Sequence, residues 1–219
     1  MLNFYKILTV LSLLVFNCNT SQASITGVSG NVQLIASPSS VILGALQSDT
    51  TIFGFNEVQN YTLTSDLFIN GNGAGLHVGT GNAATNFITS GATINSYFFH
   101  VDSVSTDFSR FAGTISFDSN ILGIIFERNE LNNSDSILGA IATNYPIDQN
   151  RNFEAGQCGT AVYDCATISA NLREITLDLS TTSQIDQIRV ITSPVPVPAT
   201  FFLFGTALSG LMGFGFRTK

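Results

Sequence analysis

Ile175-Thr176-Leu177-Asp178-Leu179-Ser180 alternates apolar with polar side chains at every step. Successive side chains of an extended strand point to opposite faces, so the stretch puts three aliphatic groups on one side and three polar groups on the other. The same period recurs where Gly113, Ile115 and Phe117 alternate with Thr114, Ser116 and Asp118. It recurs again where Tyr97, Phe99 and Val101 alternate with Phe98, His100 and Asp102. Each pattern predicts one face in the core and one towards solvent. Further strands are predicted at 29–36, 51–55, 61–69, 121–127 and 184–191. The single candidate for a helical turn is 134–141, with Ser134 or Asp135 as its cap. Many short strands broken by Gly, Asn and Ser predict a mostly β domain, an antiparallel β-sandwich or jelly roll. Composition agrees, because only 11% of residues are charged and 44% are hydrophobic. Strong helix formers such as Lys, Glu and Ala are sparse.

Outside these strands the chain of 219 residues has an apolar segment at each end. Lys6 and the apolar run 7–16, followed by Ser21-Gln22-Ala23, read as a signal peptide over 1–23, cleaved after Ala23. The competing reading, a lipoprotein acylated at Cys18, meets bulky and polar residues at Val15-Phe16-Asn17. At the other end, Pro194-Val195-Pro196-Val197-Pro198 stops any preceding strand, since proline lacks the ladder donor. An uncharged run over 199–216 follows, about 27 Å long as a helix, enough for one bilayer crossing. Arg217 and Lys219 come next. Basic residues beside an apolar span stay on the cytoplasmic side, which puts the acidic body outside. The expected organisation is therefore a signal peptide at 1–23, a β-rich extracellular domain at 24–193 and a membrane-anchoring tail at 194–219.

This order of parts resembles the PEP-CTERM sorting tail, in which a Pro-Glu-Pro motif precedes a transmembrane helix and a short basic end. The matching residues are Val195-Pro196-Val197-Pro198-Ala199-Thr200, then Phe202-Leu203-Phe204-Gly205-Thr206-Ala207-Leu208-Ser209-Gly210-Leu211. The sorting motif maps to Pro196, Val197, Pro198 and Ala199, and the departure is Val197, where the family carries glutamate. The resemblance implies an exported protein of a Gram-negative bacterium. It would pass through the secretion translocon, be held in the inner membrane as a precursor, and be cut by an exosortase-type membrane enzyme. Its destination would be the outer surface or an extracellular matrix, with exopolysaccharide as a further partner. The alternative is a permanent single-span anchor without processing. The middle of the chain is also similar to uncharacterised domains of PEP-CTERM proteins, through Asn95-Ser96-Tyr97-Phe98-Phe99-His100-Val101-Asp102, Ile115-Ser116-Phe117-Asp118, Ile121-Leu122-Gly123-Ile124-Ile125 and Ile185-Asp186-Gln187-Ile188-Arg189-Val190. That resemblance brings no activity with it.

Charge and cysteines narrow the chemistry. All fifteen acidic residues lie between 24 and 198 with five arginines, a net −10 for that stretch. Such a surface repels nucleic acid and anionic lipid. Cys158 and Cys165 form an even pair across a short loop, and in an oxidising compartment they are expected as a disulfide. The densest set of oxygen donors, Glu127, Glu130, Asn132, Asn133 and Asp135, is the candidate calcium site, with Glu127, Glu130 and Asp135 supplying carboxylates. No other cofactor is expected.

His77 and His100 are the only histidines. His100 and Asp102 share a strand face, but no Gly-x-Ser-x-Gly elbow accompanies them, so no catalytic residue is assigned. The glycine-rich stretches 70–75 and 79–82 read as tight turns, because a phosphate cradle would need a following helix and a lysine. The expected function is a non-enzymatic structural or interaction role in an extracellular matrix. The alternative is a lectin-like carbohydrate module using Tyr61, Phe98 or Tyr145 as stacking surfaces, and a secreted hydrolase comes third.

Overall fold

A computed structural model describes residues 24–81, 84–147, 149–159, 163–182 and 184–195. The expected signal peptide, the sorting motif Pro196–Ala199, the apolar run 199–216, Arg217 and Lys219 lie outside them. Among the described residues no helix is long and apolar enough to cross a membrane.

In chain order the elements among the described residues of the unit Gln22–Pro194 are thirteen strands and one helix. They are β1 (Ile25–Gly30), β2 (Val32–Leu34), β3 (Ile52–Asn56), β4 (Tyr61–Thr62), β5 (Leu67–Ile69), β6 (Gly75–Val78), β7 (Asn86–Ile88), β8 (Thr93–Asp102), β9 (Ser109–Phe117), β10 (Ile121–Ile125), α1 (Arg128–Leu138), β11 (Cys165–Ile168), β12 (Glu174–Thr181) and β13 (Ile185–Thr192). One sheet has the order β1-β9-β12-β11-β6; the second runs β10-β13-β8-β3-β2, with β4 also on β8. A two-stranded ribbon, β5-β7, completes the set. Pairing between strands is antiparallel except for β2 with β3.

The apolar face of the alternating stretch around Leu177 is buried as its pattern predicts, although Ser180 on the polar face is buried too. Ile175, Leu177 and Leu179 of β12 are buried, while Thr176 stays exposed. They share one apolar core with Phe111, Ile115 and Phe117 of the first sheet and with Tyr97, Phe99, Val101, Ile188 and Val190 of the second. Both sheets therefore bury one face in common.

The second sheet departs from the expected solvent face. Nine of the ten residues of β8 and all eight of β13 are buried, so both faces of these strands are covered. A second apolar cluster gathers Phe98, Ile191, Ile125 and Phe55 with Leu131 and Leu138 of α1, Val41 and the ribbon residues Leu67 and Ile69. Sequence alternation reports the polarity of a face and is silent on whether another segment covers it.

Other expectations are corrected by the same contacts. The helix begins at Arg128, well before 134, with Glu127 at its N-cap position and no side-chain cap bond. Ser134 and Asp135 sit inside it. The predicted strand 29–36 is split into β1 and β2 at Gly30, which takes a φ of +69°. The predicted strand 61–69 is two short strands on different partners. Between the two glycine-rich stretches lies an unpredicted strand, β6, whose Gly75–Val78 pairs with β11. Short strands at a sheet edge take their identity from a partner far away in sequence, which local composition does not report.

Candidate functional site

Two polar assemblies each include a residue of β13 in the second sheet. The first lies on its α1-facing side. Arg189 on β13 is 0% exposed and forks onto Glu57, with Nε donating to Oε2 at 2.6 Å and Nη2 donating to Oε1 at 2.7 Å. Nη2 also donates to Asp135 Oδ1 at 2.9 Å, and Nη1 donates to Ser134 Oγ, both on α1. Tyr145 and Ser96 complete the Glu57 carboxylate through their hydroxyls, at 2.7 and 2.6 Å. Arg151, equally buried, donates to Asp135 Oδ2 at 2.6 Å, to Asn132 Oδ1 and to the Pro146 carbonyl. Both guanidinium groups lie over the Phe98 ring, 5.2 and 5.8 Å from its centroid. Two arginines thus balance two carboxylates beneath α1. Burial alone lowers the Arg189 guanidinium, but Glu57 and Asp135 outweigh it and hold the group above its ordinary range. Burial lowers Arg151, only partly offset by Asp135.

This network absorbs residues to which the sequence assigns other roles. Asp135 holds two arginines. Glu127 accepts the backbone N–H groups of Thr80 and Gly81 at 2.8 and 2.9 Å, and Glu130 accepts that of Ala84 at 3.0 Å. Glu127 and Glu130 line one cleft, but the three carboxylates have separate partners, and among the described residues no group of carboxylates within 4.8 Å contains all three. Phe98 is fully buried and offers no surface for stacking a sugar, while Tyr145 is half-buried with its hydroxyl donated to Glu57. Exposed aromatic rings occur instead on the ribbon, at Phe68 and Phe87.

His100 is also fully buried. Gln187 Nε2 donates to its Nδ1 at 2.8 Å, and Nε2 therefore carries the proton given to the Leu46 carbonyl at 3.2 Å. Asp102, on the same face, accepts from the Gly44 N–H and from Gln47 Nε2. Both side chains are tied to the 41–49 segment rather than to each other. His77 lies on β6 with Nε2 3.2 Å from the Gly73 carbonyl.

Burial, with a smaller effect from the Arg151 charge, pushes the His100 imidazole down to about 4. The unfolded chain, with an ordinary value near 6.5, then binds a proton before the fold does. Stability from this group is complete above pH 6.5 and is lost as pH falls from 6.5 towards 4, by roughly 3 kcal/mol. Asp102 faces the same segment, and burial raises its carboxyl, so its contribution runs the opposite way. Comparing pH-dependent urea midpoints of wild type and His100→Gln isolates the histidine; wild type is expected to lose more stability than the variant as pH falls from 6.5 to 4.

The second assembly lies near the β12–β13 connection. Glu154 is on the loop between α1 and β11, Asp164 immediately precedes β11, and Asp186 is the second residue of β13. One carboxylate oxygen from each lies within 4.8 Å of the others. Asp164 is 0% and Asp186 1% exposed. Asp164 Oδ1 accepts the Ser180 N–H at 2.7 Å. Glu154 Oε2, Asp164 Oδ2 and Asp186 Oδ2 are buried without a hydrogen-bond partner among the described residues. Among the described residues no arginine forms an ion pair with any of the three. Burial raises the Asp186 carboxyl well above the carboxylate range, and the Asp164 and Glu154 charges add to it. Burial and then Glu154 raise Asp164 in the same direction. A Cys158–Cys165 disulfide, with Cα atoms 5.6 Å apart, closes the loop that ends at Asp164. This is the pairing expected of Cys158 and Cys165 across one short loop.

Sequence reasoning does not find this trio. Its members are scattered over three segments, and Asp186 stands in a strand where a lone acid reads as solvent-facing. The one available signal was the even spacing from Asp186 to Ile188 and Val190, which puts the acid on their face. No family model, no curated protein and no solved structure matches the chain.

Proposed function

We propose that this chain is an exported bacterial surface protein whose β domain has a structural or interaction role in an extracellular matrix. In this reading the two sheets form a β-sandwich, residues 1–23 are a signal peptide, and 194–219 are a sorting tail cut by an exosortase-type enzyme. The observation that carries it is the strand from which the tail would hang. β13 ends at Thr192, two residues before Pro194, and it is an interior strand, laddered to β10 on one side and β8 on the other. A tether attached there pulls along the strand and loads both ladders in shear, a suitable mounting for a membrane-anchored domain. The Cys158–Cys165 disulfide supports an oxidising compartment. Buried bonds to main-chain and side-chain partners account for His100 and Asp102, which favours a structural use of the polar residues.

The test is a chain with an epitope tag after Lys219, followed in cells with and without an active exosortase. The expected mature protein begins at Ser24, has lost the tag and is found outside the inner membrane. Without the enzyme the tagged form stays in the membrane. A protein found in the cytosol with free thiols at Cys158 and Cys165 sinks the proposal.

A second reading, carbohydrate binding, is favoured by the ribbon. Phe68 and Phe87 are 53% and 51% exposed, with ring centroids 6.3 Å apart. Beside Phe68 lies a cleft of about 100 Å³ lined also by Asp66, Glu130 and Asn133. That volume is too small to enclose a ligand, so recognition would rest on stacking against the exposed rings. A glycan array run with wild type and Phe68→Ala separates the two readings; no sugar response, or one that survives the substitution, removes the second.

A further inference from the structure

We propose that Glu154, Asp164 and Asp186 form a calcium site that ties the two sheets together at the β12–β13 connection. Three carboxylates with oxygens inside 4.8 Å are a hard-donor set, suited to a divalent cation that prefers oxygen. The acidic cluster alone would not carry the assignment. What points to a ligand is that Asp164 and Asp186 are essentially inaccessible to solvent, yet each keeps an oxygen with no hydrogen-bond partner among the described residues. Buried carboxylates are normally paired, hydrogen-bonded or metal-bound. The contrast within the same domain sharpens the point, since Glu57 and Asp135 are each matched to arginines.

Calcium is favoured over magnesium by the enclosure of the site. Magnesium keeps several of its waters and demands a near-ideal octahedron, whereas calcium accepts six to eight oxygens in irregular cages. Backbone carbonyls and a limited number of waters would fill the places that the carboxylates leave. The site also has a mechanical logic. β12 belongs to the first sheet and β13 to the second, and Asp164 accepts from Ser180 on β12. Glu154 precedes Ala155, which bridges to Gly79 just beyond β6. An ion held by all three would join both sheets and the α1–β11 loop, and the disulfide pre-organises the segment leading to Asp164. The geometry of the three carboxylates is independent of the proposed export.

The experiment uses the full chain, purified in mild detergent and stripped with EDTA. Calcium at a hundredfold excess over its dissociation constant is expected to raise the melting midpoint by about 5–10 °C. Magnesium at the same concentration should do much less. Terbium, which occupies calcium sites, should give luminescence excited through tyrosine, Tyr163 being adjacent to Asp164. Asp186→Asn replaces a buried carboxylate by a neutral amide, so the stripped variant should melt no lower than stripped wild type. It should also lose both the calcium shift and the terbium signal. No response of wild type to millimolar calcium overturns the proposal and leaves a cluster that shares protons. A full calcium shift retained in Asp186→Asn overturns it equally, and an equal response to magnesium overturns the choice of ion.

Discussion

Arg189→Leu is expected to destabilise the fold by about 3–5 kcal/mol, because it leaves buried carboxylate charge unmatched. Glu57 is the group most exposed to the loss. Its two oxygens accept from Arg189 at 2.6 and 2.7 Å, and its side chain lies in a fully buried pair. Tyr145 and Ser96 would still donate to it, but hydroxyl dipoles do not replace a guanidinium charge. Asp135 keeps Arg151 and suffers less. For a domain of this size the midpoint should fall by roughly 6–20 °C. The double variant Arg189→Met with Glu57→Met should recover most of the loss, since removing both charges leaves no buried ion unpaired. Urea titration of the two variants checks both statements. A single-variant loss under about 1 kcal/mol would mean the network is solvated rather than buried.

Phe98→Ala tests the covered face of the second sheet. Were β8 open to solvent on that side, truncating Phe98 would change stability by no more than about 0.5 kcal/mol, as surface substitutions usually do. In the structure Phe98 is fully buried against Phe55 and Tyr145, with ring centroids 5.5 and 5.2 Å away, and both guanidinium groups lie close to its ring centroid, at 5.2 and 5.8 Å. The expected cost is therefore about 3–5 kcal/mol, from lost transfer energy and the cavity left behind. Phe98→Leu should cost less because it refills part of that volume. A small effect of the alanine would show that α1 and the loops do not hold on to the sheet.

The two variants bear on the same question, how far the fold can be read from residue order. Strand identity was legible at 175–180, 113–118 and 97–102, where period-two patterning is strong. The interruption at Gly30 was not, because a positive φ is invisible in an apolar-polar pattern. The short strands β6, β7 and β11 were missed for a related reason. They are three or four residues long, and partners elsewhere in the chain define them.

The functional residues divide along the same line. The cysteine pair was legible because two thiols in one loop have few alternatives. The acids were not. Residues 127–135 are dense in carboxylates along the chain, and the fold distributes them to backbone amides and arginines. Glu154, Asp164 and Asp186 are distant along the chain, and the fold collects them.

Local alternation and turn residues are sufficient to specify a β-rich body, because side-chain direction along a strand follows from backbone geometry alone. Which face becomes an interior, and which charges meet there, depends on segments that arrive from far away in sequence. Burial and electrostatic pairing are properties of that long-range assembly. Only the packed structure turns Phe98 into a core residue, pairs Arg189 with Glu57, and leaves three carboxylates facing one another.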